Sequence, residues 1–503
     1  ETAPIWLAEM SQYPGLIALT AILFLGGPIG KSAQFPLHEW LPEAMAGPTS
    51  VSALIHAATM VKAGVYLVAR ISPVFYIGAY LLHLEEARMF FIAIAMVGAF
   101  TTFLAASQAV VSVELKKILA YSTVSQIGYM MLGLGLSGLT EEAYIAGLTA
   151  GIFHLMSHAL FKAALFLGAG SVIHAIHSIY TFDMGGLKKY MPKTYWLMVL
   201  ATLSLTGFPP FSGFWSKDAV FIAALLAGTP LAYLLLAIGG ISAALTMAYS
   251  IRYIWLTFEA DESKHVQDLE HHGHPPHEAP IAMWGSVAVL VVVMLAISGL
   301  GLVGQFSEGL NPEIFIEHQV HHALHEIMPH EVELHVPHID MGLKSRAWGL
   351  SALLLGVGIF AGRTYWWGTS VADWNIERKG FSKTIYNFLW NRWYMNPVYY
   401  LVFVDGLVLL GKGLHSTLEK LFFDRITPVV SGSFIETGVA LYKNVEQDVI
   451  DKGLNENVPA GAISLWDHVR KLQTGVLSYN LAYIGLLLIV LLLLFIFGLN
   501  GGI

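Results

Sequence analysis

The chain contains no cysteine, and charged residues make up only 12% of its 503 residues, against 55% hydrophobic residues. An average soluble chain is about 25% charged, so this chain has too few charges to cover a soluble globule of its size. The scarcity of charge excludes a disordered chain and a nucleic-acid binder. The missing cysteine excludes a disulfide scaffold, a cysteine-ligated metal site and an iron–sulfur protein. The composition therefore indicates a membrane protein.

Nucleotide-binding motifs are missing as well. Residues 299–304 match the dinucleotide fingerprint in letters, but they end an apolar run and follow no strand–turn–helix unit. The sequence also contains no P-loop, which excludes a nucleotide-driven pump. We therefore expect no cofactor in this chain, and any redox chemistry must take place in another chain.

The sequence instead has long apolar runs, each near the ~20 residues that cross a bilayer. Each run is expected to be a helix, because lipid offers the backbone no hydrogen bonds. The sequence thus predicts an all-α polytopic membrane protein with about ten transmembrane helices. The predicted spans are 12–30, 50–70, 89–112, 118–137, 145–175, 194–224, 229–258, 281–304, 345–362 and 480–499.

Lysines in short loops predict the orientation of these spans. The loop between the third and fourth spans and the loop between the fifth and sixth are basic, and alternation of the spans puts both on one side, the inside. The loop at 138–144, on the opposite side, carries two glutamates and no base. The lysines of the basic loops are Lys116, Lys117, Lys188, Lys189 and Lys193.

Two lysines within the apolar runs stand beside glycine and proline. Lys31 follows Gly-Gly-Pro-Ile-Gly, and Lys217 follows Gly-Phe-Pro-Pro-Phe-Ser-Gly-Phe-Trp-Ser. An ionisable residue in the hydrocarbon zone is costly and usually lines a polar path, and paired helix breaks indicate an ion path in repeat-built transporters. The alternative for Lys31 is a snorkelling lysine at a helix end.

A third group of ionisable residues is His154, His158 and Lys162, whose spacing by four puts all three on one helical face. Because histidine titrates near neutral pH, this stripe predicts a proton relay. One alternative is a purely structural, hydrogen-bonded stripe. The other is a metal pair, but no nearby carboxylate completes such a site.

Two further residues are candidate relay members. His56 lies in mid-span, with Lys62 further along the same span. His56 either belongs to the relay or makes a hydrogen bond between helices. Lys116 lies at a helix start on the inside, where its alternative role is to set the topology. For Lys117 we favour that topological role alone.

Outside the spans, residues 259–280 and 305–340 are acidic and rich in histidine. We interpret their histidines as a solvated, weakly buffering loop, with a divalent metal site as the alternative. Residues 396–423 and 433–452 carry charges at helical spacing and predict amphipathic helices along the membrane surface or along neighbouring helices. The histidines in question are His318, His321, His322, His325, His330, His335 and His338.

Several segments together resemble the signature of one family. They are residues 30–38 (GKSAQFPLH), 40–61 (WLPEAMAGPTSVSALIHAATMV), 119–129 (LAYSTVSQIGY) and 214–218 (FWSKD). They resemble the antiporter-like membrane subunits of respiratory complex I and its relatives, above all the distal subunit, called NuoL in bacteria and FpoL in archaea. The likeness is strong over about 12–260; beyond that the architecture is similar, with a lateral amphipathic helix before a last span.

The resemblance implies a fold of inverted five-helix repeats with Gly/Pro-broken helices. It also implies that the chain lacks about six N-terminal helices of the family. The glutamate that pairs with Lys31 would lie in that missing part. The implied divisions are 1–88, the tail of a first repeat; 89–258, a complete second repeat; 259–362, the histidine-rich acidic loops with two transmembrane helices; 363–479, the lateral amphipathic region; and 480–503, a C-terminal anchor.

The resemblance also implies roles for the candidate residues. Lys31 would be the buried lysine of the first half-channel, and His56 would lie on the connecting helix. Lys217, next to Asp218, would end the second half-channel. The central hydrophilic axis would consist of Lys116, His154, His158 and Lys162.

The predicted function is that of a proton-translocating subunit, itself without a redox centre, in a complex I-like pump. The pump would be of the NADH:quinone type or of the archaeal deazaflavin:methanophenazine type. Its partners would be other membrane subunits, including further antiporter-like ones, in an energy-transducing membrane such as the prokaryotic cell membrane. Two alternatives are an Mrp-type cation/proton antiporter subunit and a structural clamp with an inactive channel.

Overall fold

The computed structural model describes residues 12–328, 339–365, 381–417 and 456–472, with the isolated positions 334, 336, 337, 439, 452 and 486. Within these residues the secondary structure is helical, apart from an isolated antiparallel bridge between Glu114 and Tyr180. Eight helical segments of the described part are long and apolar enough to cross a membrane. The predicted all-α polytopic class is confirmed, and the predicted span 480–499 lies outside the described residues except for position 486.

Helices cover the nine predicted spans that lie within residues 12–365, but the spans 12–30, 50–70 and 194–224 are each divided into two helices. The α-helices of six or more residues between 14 and 390 are numbered α1 to α15 in chain order. Their bounds are α1 Pro14–Phe24, α2 Gly26–Lys31, α3 Thr49–Ala57, α4 Lys62–Tyr76, α5 Arg88–Val111, α6 Leu115–Leu136, α7 Tyr144–Ile176, α8 Pro192–Thr206, α9 Ser212–Ala227, α10 Pro230–Ile254, α11 Lys264–His271, α12 Ile281–Val303, α13 Pro312–Ile327, α14 Met341–Tyr365 and α15 Phe381–Trp390.

Residues 395–503 form a separate unit. Its described helices are α16 (Met395–Tyr399), α17 (Gly406–Leu414) and α18 (Val458–Leu472). The segment Arg392–Thr417 is long and apolar enough to span a membrane, whereas the sequence predicted a surface helix over 396–423. The predicted amphipathic helix at 433–452 lies outside the described residues, except for positions 439 and 452.

Helix breaks occur at three places. The predicted break before Lys217 lies at residues 207–211, where Gly207 has a left-handed φ of 78°. Before Lys31 the helix is interrupted at Leu25, between α1 and α2; α2 then continues through the glycines and Pro28 to Lys31, and residues 32–39 are irregular. A third, unpredicted break separates α3 from α4. There the Thr59 hydroxyl donates to the Leu54 carbonyl, which offers the backbone an alternative to the helical ladder.

The long helix α7 runs through the centre of the bundle. At ~1.5 Å per residue its 33 residues span about 50 Å, enough to cross a bilayer. It packs against α3, α6, α8, α9, α12 and α13. Beside it, α5 and α6 approach closely because Gly98 faces α6: a Cβ on Gly98 would lie 2.6 Å from the Leu132 nitrogen.

The basic loops meet at one end of this bundle. The Leu115 amide donates to the Ile179 carbonyl, and the Thr181 amide donates to the Val113 carbonyl, so the two loops predicted on the inside are joined. The acidic residues after α10 pair with the lysines of the second loop: Lys188 Nζ lies 2.9 Å from Glu259 Oε1. The first histidine-rich region therefore folds back onto the inside face.

Candidate functional site

A line of buried polar side chains follows the axis of α7. His154, His158 and Lys162 are all 0% exposed, although α7 is otherwise mostly apolar. The predicted common face is present, since the rings of His154 and His158 have centroids 6.4 Å apart. These three side chains form the central part of what we call the buried line.

His154 connects three helices. Its Nδ1 lies 2.9 Å from the Ser216 hydroxyl on α9, and its Nε2 lies 3.1 Å from Gln126 Oε1 on α6. This arrangement fits a neutral imidazole that donates from Nε2 and accepts at Nδ1. Because Ser216 directly precedes Lys217, His154 links the α7 stripe to the lysine beside the second break.

His158 contacts a lysine that the sequence analysis had not assigned to the site. Lys62 Nζ, on α4, lies 2.5 Å from His158 Nδ1, and Lys62 is only 5% exposed. The signal that could have identified it was a second ionisable residue within the same apolar run, six residues past His56. His158 Nε2 has no hydrogen-bond partner in the described part of the chain, so that nitrogen remains available to water or to a proton.

The buried lysines lack counter-ions among the described residues. Lys162 Nζ donates to the Ser122 hydroxyl at 2.6 Å, and Lys217 Nζ donates to the Leu205 carbonyl at 2.7 Å. No described ion pair involves these two lysines or Lys62. Burying an unpaired ammonium group in a low-dielectric interior costs several kcal/mol. Ionisable residues that stay inside a membrane protein despite this cost are typical of an ion pathway.

Lys217 lies directly beside the second break. Its Nζ is 5.3 Å from the centre of the Tyr129 ring, and the missing side chain of Gly207 leaves room for its aliphatic stem. The neighbouring Asp218 is 3% exposed and accepts a hydrogen bond of 3.3 Å from Ser351 on α14. Lys217 and Asp218 therefore contact different elements and do not pair with each other.

Three predicted site residues lie off this line of contacts. Lys116 Nζ donates to the carbonyls of Met45 and Gly47, at 2.7 Å each, and so fastens the segment before α3. His56 is fully buried 4.5 Å from the Phe166 ring, with neither nitrogen bonded in the described structure. Lys31 is exposed, which differs from the buried position that the resemblance implies, because no described element covers its side of α2.

The histidines of the second polar region lie on or after α13. His318, His322 and His325 are exposed on that helix, and His321 is half-buried. The described residues contain no group of three or more histidine, aspartate or glutamate side chains placed to hold a metal. His330, His335 and His338 lie outside the described residues.

Comparisons with known proteins place the sequence among membrane subunits of known complexes. Residues 5–246 match the family model described as NADH:quinone oxidoreductase/Mrp antiporter, TM. Over 458 residues the chain is 38% identical to NAD(P)H-quinone oxidoreductase chain 5 of Picosynechococcus sp., which covers 86% of this chain and 62% of that protein. Over 423 residues it is 36% identical to NADH-quinone oxidoreductase subunit L of Rickettsia felis, which covers 83% of this chain and 60% of that protein.

A chain from the structure of the Mrp complex from Dietzia sp. is 27% identical, with a TM-score of 0.49, over 60% of this chain and 59% of that chain. The chain spans roughly three-fifths of the length of the two oxidoreductase relatives, since the matches cover 62% and 60% of those proteins. The resemblance to antiporter-like subunits of complex I is confirmed by the family model and the two relatives. The likeness to the archaeal distal subunit, and the missing N-terminal helices, remain predictions.

Proposed function

Because residues 5–246 belong to the transmembrane family of NADH:quinone oxidoreductase and Mrp antiporter subunits, we propose that the chain translocates protons in a complex I-like enzyme. It carries no redox centre in this proposal; electron transfer in other subunits drives it. Its partners are the membrane subunits of that enzyme, including further antiporter-like ones. The electron donor and the acceptor quinone bind elsewhere in the complex.

The observation that carries the proposal is the buried line itself. It begins at Lys62, continues through His158 and His154, and reaches Lys217 through Ser216, while Lys162 branches from the same face of α7. Histidine and hydroxyl groups both donate and accept, so each can pass a proton to the next group or to a bridging water. Asp218 follows Lys217 on α9 but accepts its hydrogen bond from Ser351 on α14, so it lies outside this line.

In this scheme the buried lysines couple the movement of charge to the movement of protons. A lysine that lacks a counter-ion is sensitive to any charge that moves near it, since one unit charge interacts through a low dielectric far more strongly than through water. Lys62 Nζ and His158 Nδ1 are 2.5 Å apart, so a charge on one of them acts directly on the other. Movement of a charge at one end of the line therefore shifts protons along it.

The Mrp-type antiporter shares the family model, but the relatives that match most of this chain are NAD(P)H-quinone and NADH-quinone oxidoreductase subunits. Those matches cover 86% and 83% of the chain, well beyond the shared family segment. This observation favours the redox-driven pump. Co-purification with flavin or iron–sulfur subunits is expected, and its absence would support the antiporter.

Replacement of Lys217 by alanine tests the proposal. The assembled complex is reconstituted in vesicles, and proton uptake is measured together with electron transfer. We expect Lys217→Ala to lower pumping and coupled turnover while the complex still assembles. Lys264→Ala, at an exposed position of α11, is the control. Normal pumping by the assembled Lys217→Ala complex would indicate a structural clamp.

A further inference from the structure

A polar cavity lies at the inner end of α5 and α6, apart from the buried line. Its volume is about 200 Å³, many times the ~15 Å³ that one water requires. The end of α5, the first two turns of α6 and the end of α15 form its walls, and α15 packs against α5. Among the residues that line it are Gln108, Glu114, Lys117, Tyr121, Trp390 and Arg392.

Two buried polar side chains in the cavity wall have unused hydrogen-bonding groups. Gln108 is 1% exposed and Tyr121 is 3% exposed. Within the described part of the chain, no hydrogen bond is made by the amide nitrogen or oxygen of Gln108 or by the Tyr121 hydroxyl. Protein interiors rarely leave buried polar groups unpaired. The wall therefore offers a ligand two donors and an acceptor.

Charged groups of both signs complete the wall. Lys117 Nζ lies 2.9 Å from Glu114 Oε1, and Arg392 pairs with Glu39 at 3.0 Å and with Glu43 at 2.7 Å. A lysine has three N–H donors and an arginine has five, so both cations keep donors for a further anion. The Glu114 carboxylate likewise keeps lone pairs for a further donor. A ligand that matches this wall has an anionic group next to a hydrogen-bond donor.

The cavity lies where the chain meets the headgroups of the inner leaflet. Helix α5, which is long and apolar enough to span the membrane, ends at the cavity, and the basic loop after it lies on the predicted inside. Trp390 lines the cavity and is 48% exposed, while the indole of Trp393 donates to the Ser107 hydroxyl at 3.1 Å. Tryptophan is enriched at the depth of the headgroups. Basic pockets between transmembrane helices on the cytoplasmic side are typical binding sites for lipid headgroups.

We propose that this cavity binds the headgroup of a phospholipid from the inner leaflet. The phosphate accepts hydrogen bonds from Lys117, Arg392 and Tyr121. A hydroxyl or primary ammonium group beyond the phosphate donates to the Gln108 amide oxygen or to Glu114. Phosphatidylglycerol and phosphatidylethanolamine have such a donor, whereas phosphatidylcholine has none. The inference is independent of the proposed function, because lipid binding requires no proton transfer.

The test adds phosphatidylglycerol, phosphatidylethanolamine or phosphatidylcholine of equal chain length to the delipidated complex. Bound lipid is counted by native mass spectrometry, and the melting temperature is recorded. In the wild type we expect one site that binds the first two lipids about tenfold more tightly than phosphatidylcholine. Gln108→Leu should lose that preference, and Tyr121→Phe should weaken binding of all three lipids. Tyr66→Phe, the same change at an exposed position of α4, should bind like the wild type.

The lipid-free complex distinguishes a binding role from a structural one. Without lipid, Gln108→Leu should melt no lower than the wild type, because Gln108 has no hydrogen-bond partner to lose among the described residues. A lower melting temperature there would show that the glutamine supports packing, and would overturn the inference. An unchanged lipid preference in Gln108→Leu would overturn it as well. If inorganic phosphate raises the melting temperature as much as the lipids do, the cavity binds free phosphate and the lipid site is wrong.

Discussion

Lys62 Nζ lies 2.5 Å from His158 Nδ1, and this contact joins α4 to the central helix α7. Lys62 is the first residue of α4, directly after the break that separates it from α3 and His56. The contact therefore connects the first part of the chain, which the family resemblance assigns to the end of one repeat, with the stripe of the second. In the proposed function, it is the position at which a charge in one half acts on protons in the other.

The first prediction concerns the effect of removing this contact. Lys62→Met keeps the length and apolar stem of the side chain but removes the charge and the donor to His158. We expect the complex to assemble, and electron transfer to continue with fewer protons moved per electron. Tyr66→Phe, at an exposed position of the same helix, should pump normally. An unchanged proton yield in Lys62→Met would remove Lys62 from the pathway.

Gly207 provides a second prediction. Its φ of 78° strains an alanine by about 1 kcal/mol, and an added Cβ would lie 3.2 Å from Lys217 Cδ. Gly228 has a similar φ of 60° but ordinary contact distances. We expect Gly207→Ala and Gly228→Ala to lower the melting temperature of the detergent-solubilised complex by similar amounts, whereas only Gly207→Ala slows pumping. Equal pumping by both variants would show that pumping does not need the space that Gly207 leaves beside Lys217.

The third prediction concerns Arg392, which pairs with Glu39 at 3.0 Å and Glu43 at 2.7 Å. Burial alone would raise the pKa of Glu39, but His38 and Arg392 outweigh it and hold the pKa below the ordinary value. We expect Arg392→Gln to destabilise the protein by about 2 kcal/mol, while Arg346→Gln, at an exposed position, has little effect.

The pH dependence of that destabilisation follows from the lowered pKa. The stabilisation by the ion pair of Glu39 with Arg392 is complete above the unfolded-state pKa of Glu39, near 4.5. It is lost as the pH falls through the lower, folded-state pKa. Melting temperatures of the wild type and Arg392→Gln should therefore differ at pH 7 and converge once the pH has fallen through the lowered, folded-state pKa of Glu39. A difference that persists unchanged in acid would show that Arg392 acts through packing instead.

The sequence predicted those parts of the site that depend on local periodicity. His154, His158 and Lys162 share a face because their spacing matches the helical repeat, and Lys217 follows a break because glycine and two prolines interrupt the helix there. The positions of the long helices were predictable because apolar runs of bilayer length have few alternatives, but the interruption between α3 and α4 was not.

The remaining features depend on contacts between distant segments. Lys62 joins His158 across 96 positions of the chain, and no local pattern encodes that pairing. The exposure of Lys31 depends on which elements cover α2. The packing of α13 depends on the buried face that it lays against α7, whereas its sequence is conspicuous mainly for histidine.

The most direct test of the central claim, that the buried line carries protons, is the proton-to-electron ratio of the Lys217→Ala complex. It is measured in sealed vesicles with a pH-sensitive dye and a simultaneous record of donor oxidation, beside the wild type and Lys264→Ala. The buried line predicts a ratio below that of both references, with subunit composition unchanged. A ratio equal to that of the wild type in a fully assembled complex would contradict it.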